Sequence, residues 1–196
     1  MLHNNYGTQN DLLLINLRKF YTTEKDGRFD PDNNLDKMLR IIGGESKISL
    51  RIVDWFATNY AKKNDTMYNI IDANGQVERR FKVHISYKLN LKAYSKKRFD
   101  PFCRWDRINI PYKQNSFVET TIGQLNFFKW ALENRIIKYI EDNYDEIEKD
   151  MNARNSTTRR KESCADTKTR KKREELSISA TKSIKKETVE IVVKFD

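Results

Sequence analysis

The stretch Thr120–Met151, TTIGQLNFFKWALENRIIKYIEDNYDEIEKDM, decides the fold class. Its residues Ile122, Leu125, Phe128, Leu132, Ile136, Ile140, Tyr144, Ile147 and Met151 recur at steps of three and four, the spacing of one helical face. Thr121 followed three residues later by Gln124 is a capping-box pattern and marks a helix start. Phe127 and Trp130 lie off the main stripe, so the first half is expected to be buried on two sides. From Glu141 to Asp150 acids crowd the outer face, which implies a solvated surface around a single apolar seam. Asn134 can divide the block into two helices, yet the stripe passes through it in phase, so one long helix stays open as well.

Upstream, Asp11 precedes LLLINLRKFY, where Leu13, Leu17 and Phe20 share a face, and a helix is predicted from about Asp11 to Thr22. Asp-Gly and Asp-Pro punctuate TEKDGRFDPDN as a loop. A second helix, Asn33 to Ile42, ends at Gly43-Gly44, which suits a left-handed cap. The third, about Ile48 to Lys62, carries Ile48, Ile52, Trp55, Phe56 and Tyr60 on or beside one stripe and is expected to face the Thr120–Met151 block across the core. Trp55 is counted among its core residues.

The period then changes. Tyr68 to Asp72 is a short apolar run followed by Ala-Asn-Gly, a hairpin signal. Val77 to Leu91 shows strand-like alternation, with Phe81, Val83, Ile85 and Tyr87 on one face and Arg80, Lys82, His84, Ser86 and Lys88 on the other. Arg107–Tyr112 and Phe117–Thr121 are two further strand candidates, and Pro111 places its strand at a sheet edge or end. The fold class expected is α+β: amino-terminal helices, a small antiparallel sheet, a long helical block, a disordered basic segment and a carboxy-terminal strand.

The chain has 196 residues, 38% apolar and 34% charged, with 22 aromatics and a net charge of +10. Between Asn152 and Glu187 there are 12 Lys or Arg against 5 Asp or Glu, so most of the excess charge sits there. That segment has too few apolar residues to offset its ordering entropy, and it is expected to be disordered or a partly formed helix when free. The domain map is therefore a flexible amino terminus over 1–9, a globular domain over 10–152, a polybasic segment over 153–187, and a strand over 188–196, VEIVVKFD with the preceding Thr, able to return to the sheet. Two distant cysteines, Cys103 and Cys164, support neither a disulfide framework nor a zinc site. The amino-terminal residues lack a signal-peptide pattern, and no apolar run is long enough to span a bilayer, so a soluble intracellular protein is expected.

YKLNLKAYSKKRFDPFCRWDR, Tyr87–Arg107, is the most suggestive constellation. Lys88, Lys92, Lys96, Lys97, Arg98 and Arg104 are interleaved with Tyr94, Trp105 and other aromatics, the combination of cations and stacking rings that single-stranded nucleic-acid surfaces use. The competing account is a cationic solvent face whose aromatics belong to the core. In the tail, Arg159, Arg160 and Lys161, then Arg170, Lys171, Lys172 and Arg173, form two basic clusters that attract any polyanion without sequence choice. RKKR is also a nuclear-import-like string, and the bland account of both clusters is a solubilising linker. No amphipathic or lipidated anchor adjoins the tail, so a membrane partner is not expected.

Enzymatic signals are weak. Of two histidines, only His84 lies within the domain, and Asp30 with Asp32 or Asp100 with Asp106 could pair on Mg²⁺ but lack a supporting motif. FDPF at Phe99–Phe102 reads as a turn fixed by Pro101 with buried flanking rings, and Cys103 has no His or acid at a recognisable spacing. No cofactor is implied. The leading expectation is a non-enzymatic nucleic-acid-associated protein; the alternatives are a virion structural or assembly protein and, third, a metal-dependent nuclease.

Four strings, GESKISLRIVDWFATNYAKKN (44–64), LKAYSKKRFDPFCR (91–104), TTIGQLNFFKWALEN (120–134) and the ending ELSISATKSIKK with VEIVVKFD, carry a resemblance that covers most of the chain. As a set they resemble an uncharacterised family of giant nucleocytoplasmic large DNA viruses. The resemblance implies no catalytic or binding residue. It implies a viral protein acting in the infected cell's cytoplasm or in the virion, near a large DNA genome, with other viral proteins as possible partners.

Overall fold

The computed structural model describes residues 8–21, 33–72, 74–104, 107–112, 116–163 and 185–188. Helix α1 is Gln9–Tyr21 and α2 is Asn34–Gly43. The Asn33 side chain accepts from the Leu35 N–H at 2.9 Å, and Gly44, at φ 77°, lets the Glu45 N–H turn back onto the Arg40 carbonyl at 2.9 Å. Both ends of α2 are thus settled by the local caps that the sequence offers. Helix α3, residues 50–63, starts at a Ser49 cap and runs as Leu50–Trp55, a π turn Phe56–Tyr60, and Ala61–Lys63.

Strands β1, Met67–Ile71, and β2, Val77–Lys82, form a two-stranded antiparallel hairpin. Its turn is held by the Asp72 carboxylate, which accepts from the backbone N–H of Asn74 and Gln76, both at 2.8 Å. Helix α4, Val83–Arg98, follows without a linker. The strand expected over Val77–Leu91 therefore ends at Lys82, and the rest of it is helix. The reason lies in pairing: Lys82 sits opposite Met67, the first residue of β1, so beyond it no strand remains to take the backbone groups. In the helical register Tyr87, Leu91 and Tyr94 turn inward, whereas Ile85, which alternation would have buried, is 51% exposed.

Strands β3, Arg107–Tyr112, and β4, Ser116–Thr121, pair antiparallel, and β5, Lys185–Thr188, adds to the other side of β4. Pro111 lies on β3, at the sheet edge, where its missing N–H costs nothing. Of the strand expected over 188–196 only Thr188 is among the described residues; it pairs with β4 together with the three residues before it. The polybasic segment 153–187 is described only at its two ends, as helix to Ser163 and strand from Lys185.

The Thr120–Met151 block is three helices: α5, Ile122–Glu133, α6, Ile136–Asp142, and α7, Tyr144–Ser163. Thr121 closes β4 and caps α5 by accepting from the Gln124 N–H at 3.2 Å. Asn134 makes the first break: its amide donates to the Trp130 carbonyl at 2.7 Å, its side-chain oxygen accepts from Arg79, and its carbonyl accepts from the Tyr68 hydroxyl. Arg135 then adopts a left-handed conformation, φ 54°, and starts α6. The in-phase stripe survives these breaks, with Ile122, Leu125, Phe128, Ile136, Ile140, Ile147 and Met151 all buried. Phe127 and Trp130 are buried on the other side, so α5 is the central element, with α1, α2 and α4 packed about it. Helix α3 meets α7 as expected. However, Trp55 is only half-buried there: its indole N–H reaches Asp150 at 3.1 Å and Arg154 stacks over its ring.

Candidate nucleic-acid interface

Helix α4 and the turn after it carry the basic-aromatic constellation, and they sort it by face. Tyr87 packs on Phe99 and Trp130 with centroids at 5.9 and 6.0 Å; Phe99 in turn lies 5.5 Å from both Phe127 and Trp130. The Trp130 indole N–H donates to the Ser86 hydroxyl at 2.9 Å, fixing α4 against α5. These rings belong to the core, as the competing account of the stretch holds. The lysines do the opposite: Lys88, Lys92, Lys96 and Lys97 are exposed, with Lys88 and Lys92 one turn apart. Arg98 is half-buried and Arg104 exposed. Tyr94 lies between the two sets, half-buried, with one side against Phe99 at 6.4 Å.

Directly after Tyr94 the helix breaks. Ser95 takes φ 60°, ψ 166°, a conformation that costs a non-glycine residue on the order of 1–3 kcal/mol and persists only where the surroundings impose it. Here they do. The Asn126 amide donates to the Arg98 carbonyl at 2.9 Å, the Gln124 amide to Pro101 at 3.1 Å, the Asp100 N–H to the Gly123 carbonyl, and the Thr121 hydroxyl to Cys103. The Asp100 carboxylate accepts from the Phe102 N–H at 2.8 Å, and its second oxygen faces Lys96 at 3.7 Å. FDPF is therefore a turn strapped to the first turn of α5, with Phe99 and Pro101 buried.

Tyr94 also lines an open groove of about 520 Å³ between α1 and α4. Leu13, Asn16, Lys19 and Phe20 form the α1 wall, and Asn126 and Lys129 rise from α5. The sequence reading missed these partners. Lys129, a cation in the otherwise apolar first half of the central helix, was the one local signal; nothing local says that α1 comes to lie opposite Tyr94. Of the remaining expected site residues, Trp105 and Arg170, Lys171, Lys172 and Arg173 lie outside the described residues. Arg159, Arg160 and Lys161 sit on the described backbone of α7, whose first half packs on α3.

Two of the candidate catalytic groups have partners in the fold. Cys103 is buried with its thiol toward the Lys97 carbonyl, and His84 Nδ1 lies 3.3 Å from the Ala57 carbonyl. Asp30, Asp32 and Asp106 lie outside the described residues, and among the described residues no group of three His, Cys, Asp or Glu is placed to hold a metal. Nor is any helix there long and apolar enough to cross a membrane.

Among the described residues, Asp54, on α3, has its carboxyl pushed up, to about 6; burial is the main cause, the Asp100 charge adds to it, and Lys96 opposes it. A carboxyl whose folded pKa is raised binds its proton more tightly in the folded state. Its contribution to stability is thus greatest at low pH and declines as pH rises from about 4 to about 6. Asp54→Asn removes that term, so the variant should gain stability relative to the parent across this window. Urea unfolding of both proteins at pH 4, 5, 6 and 7 checks this; parallel curves would show that Asp54 titrates normally.

The geometry defines a class: a small basic α+β protein with a cationic helix face beside a mixed aromatic and amide groove. The chain belongs to DUF7197, a family of unknown function, which it matches over residues 4–191. It is 51% identical over 119 residues to the uncharacterized protein L507 of Acanthamoeba polyphaga mimivirus, across 58% of this chain. The alignment takes in 45% of that protein, so the chain spans about half the length of the curated relative it matches. Both findings agree with the giant-virus resemblance carried by the four strings. No solved structure matches the chain.

Proposed function

We propose that this protein is a non-enzymatic nucleic-acid-associated protein that holds phosphate backbones on the outer face of α4. The observation that carries the reading is the division of that helix: Tyr87 packs on the core rings while Lys88, Lys92, Lys96 and Lys97 stand in solvent. Cations on a rigid helix, at one-turn spacing, suit a polyanion with regularly spaced charges and impose no sequence choice. The net charge of +10, concentrated further along in the basic clusters about Arg159 and Arg170, adds long-range attraction. Under this reading the protein acts where a viral genome or its transcripts are, in the infected cell's cytoplasm or in the virion.

Titration of labelled DNA and RNA across a salt series tests it. The Lys88→Ala, Lys92→Ala double variant should lower affinity for both and reduce the slope of log affinity against log salt by about 1.4–1.8, two contacts at about 0.7–0.9 each. Its stability should stay within about 0.5 kcal/mol of the parent, because both side chains are exposed. An unchanged slope would reject α4 as the phosphate-binding face.

A second reading, an assembly protein, draws on a specific observation: Ile85 and Leu89, 51% and 62% exposed, are one turn apart on this helix. If they form a protein contact, Ile85→Ser with Leu89→Ser should shift the sedimentation coefficient and leave nucleic-acid affinity alone.

A further inference from the structure

We infer that the groove between α1 and α4 receives one unpaired nucleobase, and that the protein therefore binds single strands more tightly than duplex. This rests on the nucleic-acid reading and adds a site that the helix face does not provide. The groove's volume, about 520 Å³, falls in the range of small-ligand clefts. Its walls present two half-buried rings from different helices, Tyr94 of α4 and Phe20 of α1. Two amides, one on α5 and one on α1, line the groove with them. Asn126 has its amide N–H donated to the Arg98 carbonyl, which fixes its orientation and leaves the side-chain oxygen as an acceptor. Asn16, exposed on α1, offers both a donor and an acceptor.

A purely apolar occupant would strip water from two amides and return nothing, at a cost that makes it a poor fit. A nucleobase matches both halves of the groove, a π face for the rings and a donor–acceptor edge for the amides. Charge fits as well. Lys129, held 5.5 Å from the Phe20 ring centroid and 2.9 Å from Glu133, and Lys19 stand at the groove. A strand that places a base in the groove thus finds two cations at its rim for the adjoining phosphates.

The strained Ser95 has a part in this arrangement. Because the chain leaves the helix immediately after Tyr94, no regular next turn follows that ring, and it remains open to the groove. Backbone strain of this kind concentrates at ligand sites. A duplex keeps its bases stacked and paired, so it can use the phosphate-binding face but fills the recess only by extruding a base.

The test uses the full chain with three fluorescent probes of one length: a thymidine oligomer, the same oligomer with abasic sites in place of its bases, and a duplex. The parent should bind the thymidine strand roughly fivefold or more tighter than the abasic strand, the lower end of what one stacked base contributes. The abasic strand retains every phosphate, so this comparison needs no variant to fold. Asn16→Ala and Tyr94→Leu, each verified as folded by circular dichroism, should lose most of that preference with the salt slope and duplex affinity unchanged. Equal binding of thymidine and abasic strands, or a preference that both variants keep, overturns the base-binding groove. Salt-sensitive binding of all three probes would then still support the α4 face, whereas no salt-sensitive binding of any probe would remove both.

Discussion

Phe99→Ala should cost about 3–5 kcal/mol of folding stability, the largest loss expected for a single side chain in this protein. Phe99 is 1% exposed, and its ring is the common neighbour of Tyr87, Tyr94, Phe127 and Trp130. It is also the first residue after α4, so truncation would leave a cavity where that helix, the FDPF turn and α5 meet, a junction held by backbone bonds that limit collapse. Cavities that cannot collapse lie at the upper end of the range. Chemical denaturation should show the loss as a lower midpoint with little change in slope. Trp55→Ala should cost less, because that ring is half-buried between α3 and α7 and its neighbours can reach water. A loss at Phe99 no larger than at Trp55 would mean that the aromatic cluster is not the centre of the fold.

Gly123→Ala should destabilise by about 1–3 kcal/mol, a large effect for one methyl group. A β-carbon placed on Gly123 would lie 2.7 Å from Cys103 Cβ, 3.0 Å from its sulfur and 3.1 Å from the Lys97 backbone carbonyl. None of these is the free end of a flexible side chain, so relief requires moving the Asp100–Cys103 turn away from α5. That turn is strapped to the helix start by the Gly123 carbonyl itself, through the Asp100 N–H. Cys103→Gly in the same chain removes two of the three contacts, and the pair should therefore be less destabilised than the sum of the single variants, by at least about 0.5 kcal/mol. Strict additivity would show that the two residues do not press on one another.

The parts of this fold that were legible in the sequence are those decided within a few residues. The caps at Gly44 and Thr121 could be read because a cap is a bond between near neighbours. The apolar stripe of Thr120–Met151 could be read because burial imposes its period. Even the break at Asn134 is local, an amide turned onto the carbonyl four residues before it. Helix α4 was misread for a non-local reason: the segment alternates well enough for a strand, and only the length of β1 decides that no partner is left for it. The groove was invisible for the same kind of reason. Tyr94 and Lys129 could be noted singly, but their meeting with Phe20 and Asn16 depends on how α1 crosses α5, which no short stretch encodes. The need for glycine at position 123 is not legible in the sequence, because a glycine's demand for space shows only when its neighbour is known.

The three-stranded sheet has a property that follows from the order of its strands. On the β3 side the edge is blunted by Pro111, but on the other side β4 owes its closure to four residues, Lys185–Thr188, contributed by the far end of the chain. Pairing over four described residues gains from being intramolecular, since a covalent link supplies an effective concentration of up to about millimolar. A single cleavage between residues 163 and 185 would remove that advantage, and at micromolar protein the released piece should drift away. The bared flank of β4 would then present a row of unpaired N–H and C=O groups to any strand nearby, another copy included. Keeping the chain whole between α7 and β5 therefore keeps that flank of β4 covered.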